Sequence, residues 1–253
     1  MHARVPTAGV PAPISVTIAS ARLTYGGSPL FEDLHLRLEP AAVTCLLGPS
    51  GVGKTTLLRM IAGLAEPEPP TTVVAGDGLP LAGRVAYMAQ QDLLLPWLNV
   101  LDNVLLGARL RHERRSPALV DEAHALLERV GLSGRSADRP AALSGGQRQR
   151  VALARTLMER RPVVLMDEPF SALDAITRLR LQELAAELLT GRTVLLVTHD
   201  PLEALRLGHF VHVMSGAPAV VGPALEPPGP PPRAPDDAAV LAMQGELLRR
   251  LAG

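Results

Sequence analysis

An α/β fold with a mostly parallel sheet is predicted by three short apolar runs, each followed by polar residues. Ala42 to Leu47 (AVTCLL), Val163 to Met166 and Thr193 to Val197 are continuous apolar or β-branched segments, the pattern of strands covered on both faces. Apolar residues at helical spacing follow from Thr55 to Leu64, which places a helix directly after the first of these strands. In sheets of this kind ligands gather at the carboxyl ends of the strands.

Taken in order, residues 1–13 read as a flexible lead-in, because Pro6, Pro11 and Pro13 recur with no apolar period. Val16 and Ile18, then Leu34, Leu36 and Leu38, alternate with polar residues and predict half-buried strands. From Leu101 to Met158 the pattern is helical with no convincing strand. Ser116-Pro117 supplies an N-cap and a first-turn proline, Leu119, Val120, Ala123, Leu126, Leu127 and Val130 keep helical spacing, and Gly131 is a stop. This section is expected to be a helical insertion, over about residues 92–158, in a domain spanning 14–216. Residues 217–253 are expected to form a Pro-rich connector, acting as a tether, and a terminal helix from Asp237 to Leu251.

Composition narrows the function. Lys and Arg together number 25, as do Asp and Glu, so the bulk charge offers none of the positive footprint that binding a nucleic-acid backbone requires. One cysteine, Cys45, allows no intramolecular disulfide and fits a reducing compartment. No apolar run reaches the roughly 18 to 20 residues of a membrane span, and the start of the chain lacks the apolar stretch of a secretory signal. A soluble cytoplasmic protein is expected.

The chemistry-bearing residues begin with Gly48, Pro49, Ser50, Gly51, Val52, Gly53, Lys54, Thr55 and Thr56, a phosphate loop G-x-x-x-x-G-K-[ST] set between a buried strand and a helix. Glycines let backbone N–H groups turn inward on phosphates, and the helix N-terminus adds positive potential. Lys54, the only lysine in the chain, supplies a point charge, and the Thr55 hydroxyl is a Mg²⁺ ligand of the right kind. In VVLMDEP the buried strand ends in two carboxylates: Asp167, suited to holding Mg²⁺, and Glu168, suited to polarising an attacking water. Ser144, Gly145, Gly146 and Gln147 open a helix in LSGGQRQRVALARTL and form a second anion-binding element.

With this last segment the chain resembles the ATP-binding subunits of ABC transporters over about residues 15 to 216. The resemblance implies a P-loop NTPase core with N-terminal antiparallel strands and an inserted α-helical subdomain. It implies ATP and Mg²⁺ as bound species, with Tyr25 against the adenine ring. Gln90 matches the glutamine that senses Mg²⁺ and the γ-phosphate, although Gln91 is adjacent and only the spacing to Leu94, Leu95, Pro96 and Trp97 favours Gln90. Asp174, in Ser-Ala-Leu-Asp, matches the loop across the dimer interface, and His199 matches the switch histidine beside the γ-phosphate. It further implies a head-to-tail homodimer in which Ser144, Gly145 and Gly146 of one subunit close over ATP held by Lys54 of the other.

A single cassette without membrane helices implies separate integral-membrane permease subunits, a peripheral position on the cytoplasmic face of the inner membrane, and no nucleic-acid partner. With 37 residues after Gly216, no added regulatory domain is expected. The stretch DLLLPWLNVLDNV, Asp92 to Val104, is similar to the subfamily that imports nitrate, sulfonates, taurine and thiamine precursors, which also uses an extracytoplasmic solute-binding protein. Leu94, Leu95 and Trp97 fall where that family meets its permease. The competing readings are a soluble ABC ATPase acting on a non-membrane complex, the ATPase of a two-component exporter and, more distantly, a phosphate-loop kinase or GTPase.

Overall fold

In the computed structural model, which describes residues 12–252, the chain opens with a hairpin of β1 (Val16–Tyr25) and β2 (Ser28–Leu38). The expected lead-in over residues 1–13 lies almost wholly outside the described residues. β3 (Val43–Leu47) leads into α1 (Lys54–Ile61), followed by β4 (Thr72–Ala75) and β5 (Val85–Met88). Four helices come next: α2 (Val100–Val104), α3 (Leu106–Leu110), α4 (Pro117–Arg129) and α5 (Gly145–Met158). β6 (Val163–Asp167), α6 (Ala175–Leu189), β7 (Thr193–Val197), α7 (Pro201–Leu207), β8 (Phe210–Ser215), β9 (Val220–Val221) and α8 (Ala238–Ala252) complete the chain.

The main sheet has the order β5-β6-β7-β3-β8-β9, parallel throughout except for β9, which runs antiparallel to β8. A separate antiparallel sheet has the order β2-β1-β4. Alternation along the three predicted strands sorts their side chains between two cores. Leu46, Leu165, Leu195 and Val197 point to the core shared with α1, β1 and β2. Cys45, Leu47, Val164, Met166, Val194 and Leu196 point to the core shared with α5, α6 and α7. Both faces are covered, which is why these strands read as unbroken apolar runs.

Residues 101–158 contain helices and no strand, and Ser116 accepts the Leu119 amide as the predicted N-cap of α4. Sequence patterning gave no sign of β4, β5, β8, β9, α6 or α7. β4 and β5 are four residues each, too short to show a period, and α6 carries apolar residues on every side of the helix.

The Pro-rich connector is not a loose tether. Arg233 is 5% exposed and donates all five of its N–H groups to carbonyls: Nε to Pro228 (2.7 Å), Nη1 to Leu205 and Gly208 (2.8 Å each), Nη2 to Pro227 and Gly229 (2.6 Å each). Arg206 of α7 reciprocates, its Nε donating to the Arg233 carbonyl at 2.9 Å and its guanidinium also reaching Gln182 of α6. Gln182 Nε2 in turn donates to the buried Glu203 at 2.9 Å. Val240 and Leu247 of α8 are fully buried against this assembly. Proline supplies the connector's carbonyls without competing N–H donors, so one arginine can fasten them.

Two outcomes test this network. Arg233→Met keeps the apolar stem but leaves five carbonyls without their donor, so urea unfolding should show a loss of about 3 kcal/mol. The α8 amides should lose exchange protection first. Burial pushes the Glu203 carboxyl from its ordinary 4.5 up to about 7, against opposing hydrogen bonds from Thr198 and Gln182. The folded protein thus keeps a proton that the unfolded chain releases. Its contribution is full below pH 4.5 and is lost as pH climbs towards 7, by about 3 kcal/mol at 1.36 kcal/mol per unit. Glu203→Gln should remove that slope from the pH dependence of urea stability; an unchanged slope would show that Glu203 titrates normally.

Candidate functional site

β3 ends at Leu47 and delivers the chain into the loop Gly48–Gly53 at the carboxyl edge of the sheet. The loop is pressed against its neighbours at both ends. A Cβ on Gly48 would lie 2.3 Å from the Met214 carbonyl oxygen of β8, and one on Gly53 would lie 2.9 Å from the Phe31 ring of β2. Gly53 is in the left-handed region (φ 108°) and caps α1 without any side-chain hydrogen bond, so the first-turn amides are left to face the loop. An uncapped helix start within a glycine-rich loop is a cradle for phosphate. The Lys54 ammonium is folded back, donating to the carbonyls of Gly48 (2.7 Å) and Pro49 (2.9 Å). Burial pushes its pKa down, against the carboxylates of Glu168 and Asp167, which favour the charge.

β6 brings Asp167 to the same edge. Asp167 is 1% exposed, and its Oδ2 accepts the Thr55 hydroxyl at 2.7 Å. Burial raises its pKa, the Thr55 hydrogen bond opposes the rise, and the Glu168 charge adds to it. The hydroxyl and the carboxylate together are hard oxygen donors, the set that suits Mg²⁺, and the two elements that carry them already meet.

Glu168 follows with φ at +47°, a conformation few non-glycine residues hold. It is sustained by its N–H donating to the Val197 carbonyl (2.9 Å) and by its carbonyl accepting the Ser171 hydroxyl (3.0 Å). The turned backbone aims the carboxylate away from Asp167. Glu168 Oε2 accepts from Gln90 Nε2 at 3.2 Å and lies 3.2 Å from His199 Nδ1. Gln90, not Gln91, makes this contact. Gln90 comes off β5 and His199 follows β7, so three parallel strands converge on one carboxylate oxygen.

Ser144 to Gln147 are placed elsewhere, at the start of α5. They form a capping box: the Ser144 N–H donates to Gln147 Oε1 (2.8 Å) and Ser144 Oγ accepts the Gln147 N–H (3.3 Å). Among the described residues they make no hydrogen bond to Gly48–Thr56. Asp174 caps α6, accepting the Thr177 N–H at 3.0 Å, which holds its carboxyl below the usual range. Tyr25 ends the hairpin strand β1 and is 80% exposed, so it is free of the strand packing that a lone Tyr would otherwise serve.

Positioning residues absent from the motif reading come from α5. Arg148 pairs with Asp92 at 2.9 Å, and Arg155 donates to the carbonyls of Asp92 (2.6 Å) and Leu93 (2.9 Å). Gln149, buried, donates to the Pro169 carbonyl at 3.2 Å. The segment after Gln90 is thereby tied to the signature helix. Asn103 then binds the Leu95 N–H (2.8 Å) and the carbonyls of Leu95, Leu98 and Asn99, fixing a loop from which Leu93 and Trp97 project. Trp97 is 66% exposed and Leu93 57%, whereas Leu94, expected at the permease face, is buried in the core beneath this loop. The arginine-rich register after LSGGQ was the available signal, but its acceptors lie far away in the sequence.

Comparison with known proteins agrees with this geometry. The sequence model of the ABC transporter family matches residues 31–171. An aliphatic sulfonates import ATP-binding protein from Rhodococcus jostii is 47% identical, over 88% of this chain and 88% of its own. An uncharacterised ABC transporter ATP-binding protein from Haemophilus influenzae is 44% identical, over 94% of this chain and 99% of its own. A dimeric bacterial ABC transporter cassette of known structure superposes with a TM-score of 0.75 at 29% identity, covering 85% of this chain and 99% of that one. A post-hydrolysis dimer of an ATP-binding cassette with ADP and Pi gives 0.74 at the same identity. These matches show that the chain belongs to the ABC transporter family as an ATP-binding, ATP-hydrolysing subunit.

Proposed function

We propose that this subunit powers import of a small organic anion of the aliphatic sulfonate class through a separate permease. The observation that carries the catalytic part is the convergence of Gln90 and His199 on Glu168 beside the Thr55–Asp167 pair. The uptake part is supported by relatives from several bacteria that carry the aliphatic sulfonates import name at 40–47% identity, and by the exposed Leu93 and Trp97.

In this reading the amides of Gly51–Thr56 and the Lys54 ammonium hold the phosphates, and Lys54 exchanges its carbonyl partners for phosphate oxygens. Tyr25 stacks on the adenine. Thr55, Asp167 and Gln90 would hold Mg²⁺, whose charge would offset that of the phosphates. Glu168 takes the proton from the attacking water as general base. Gln90 and His199 fix the carboxylate in one orientation, so that base and water stay in line. Ser144, Gly145 and Gly146 meet the partner subunit's ATP. The Ser144 oxygen already accepts within its capping box, and its O–H remains available as a donor. Asp174 sits at the dimer interface. The subunit rests against the cytoplasmic side of the membrane, and a solute-binding protein delivers the anion from outside.

Two variants test this. Glu168→Gln should slow ATP hydrolysis roughly a hundred- to ten-thousand-fold while ATP binding persists. With Mg²⁺-ATP, this variant should capture a multi-span permease from solubilised source membranes. Recovery of soluble proteins alone would leave an ATP-driven clamp on a non-membrane complex. Trp97→Ala should abolish transport with stability within about 0.5 kcal/mol of wild type and hydrolysis by the isolated subunit retained. Unchanged transport would remove Trp97 from the docking surface.

A further inference from the structure

The 3.2 Å approach of His199 Nδ1 to Glu168 Oε2 requires two turns to keep a fixed separation. One runs from Glu168 to Asp174, between β6 and α6, and the other is Thr198–Asp200, between β7 and α7. The pairing of β6 with β7 fixes where both turns begin, and the Glu168 N–H on the Val197 carbonyl adds to it. Strand register does not reach the far ends of these turns. The His199 side chain is 64% exposed, so packing does little to hold the ring, and its position follows the backbone that carries it.

Arg178, in the first turn of α6, reaches both turns. Its Nη2 donates to the Leu173 carbonyl at 3.0 Å, and its Nη1 lies 3.6 Å from Asp200 Oδ2. Asp200 divides its carboxylate between two tasks. Oδ1 caps α7, accepting the N–H groups of Leu202 (2.9 Å) and Glu203 (3.3 Å), which leaves Oδ2 for the guanidinium. On the other side of His199, the Thr198 hydroxyl accepts the Asp200 N–H at 3.1 Å, and the Thr198 N–H donates to the Leu46 carbonyl at 3.2 Å. One turn further along α6, Gln182 donates to Glu203 at 2.9 Å, so neighbouring positions on one face of α6 hold two points of α7 and its cap. Arg178 Nε is buried without a hydrogen-bond partner, which costs stability. What the guanidinium supplies is a rigid span between acceptors on different turns, a geometry that one ammonium lacks.

We propose that Arg178 is a positioning residue for hydrolysis: it braces the Leu173 carbonyl against the Asp200 carboxylate and so holds His199 in place beside Glu168. The inference rests on the reading that makes Glu168 the general base and His199 its orienting partner. Among the described residues Arg178 makes no hydrogen bond to Glu168, His199 or Gly48–Thr56, so its effect passes through the backbone of the two turns. ATP binding is therefore untouched, while the chemical step depends on the brace.

The test is steady-state phosphate release by the full-length protein with Mg²⁺-ATP, read as kcat and KM for Arg178→Met, Arg178→Lys, Asp200→Asn, His199→Ala and the double variant of Arg178→Met with His199→Ala. Arg178→Met should lower kcat roughly ten- to a hundredfold with KM within about twofold of wild type. Asp200→Asn keeps the oxygen that caps α7 and removes the charge, so it should lose kcat in the same way. Arg178→Lys serves one acceptor of the two and should fall between Arg178→Met and wild type. In the His199→Ala background Arg178→Met should cost less than about twofold more, because no histidine is left to place. If Arg178→Met does not fold, Asp200→Asn takes its place in both backgrounds. An unchanged kcat, a loss confined to KM, or the full further loss in the His199→Ala background would overturn the assignment. Wild-type kcat in His199→Ala would overturn the reading of the site itself, whereas slow His199→Ala beside fast Arg178→Met removes the brace alone.

Discussion

Leu46 of β3 lies beside Val197 of β7, and Val197 lies beside Asp167 of β6, so three parallel strands end level across the middle of the sheet. Everything at the nucleotide site is hung from that register. It puts the Glu168 N–H on the Val197 carbonyl and starts His199 two residues beyond β7, while the pairing of β3 with β8 sets Gly48 against the Met214 carbonyl. The register is secured by burial on both faces. A slip of one residue would send Leu46, Leu165 and Leu195 to the wrong core and exchange them for Cys45, Val164 and Val194. Catalytic geometry is therefore a by-product of hydrophobic sorting. The strand-end residues inherit positions that the apolar residues behind them have already fixed.

The second layer of organisation is polar and longer in range. α5 presents its glycines at one end and its arginines along one side. The same helix that carries Ser144 holds Asp92 and Leu93 by Arg148 and Arg155, and grips the turn after Glu168 by Gln149. Gln90, two residues before Asp92, touches Glu168 itself. Glu168 and Gln90 are thus connected to the exposed Trp97 loop through backbone carbonyls and charged hydrogen bonds.

Legibility in the sequence followed the physics of each part. The three central strands were legible because burial on both faces writes them as unbroken apolar runs. The phosphate loop was legible because glycines and one lysine must occupy fixed offsets. β4 and β5 were not, being too short to show a period, and α6 was not because it has no apolar face of its own. Spacing alone favoured Gln90 over Gln91, and in three dimensions Gln90 is the one that reaches Glu168. The connector misled for a chemical reason. Eight prolines between Pro218 and Pro235 remove the backbone donors that would announce a folded segment, and leave carbonyls whose partner, Arg233, looks like one more surface arginine.

The distribution of cations follows from their shapes. At Arg233 and Arg206 a planar fork of donors is spread over several carbonyls from separate segments, a task a single ammonium lacks the reach and geometry for. At the phosphate loop the requirement reverses. Gly48 and Pro49 offer two carbonyls within one tight turn, and in the proposed function the cation exchanges them for phosphate oxygens. A compact ammonium on a flexible stem can pivot between the two sets, whereas a guanidinium would fill the space the glycines keep open. One lysine in a chain otherwise supplied with arginine therefore sits where mobility of the charge is part of the task. By the same reasoning, Arg192 is the exception among the buried arginines. It has the fork, but its Nε and Nη1 are buried without acceptors.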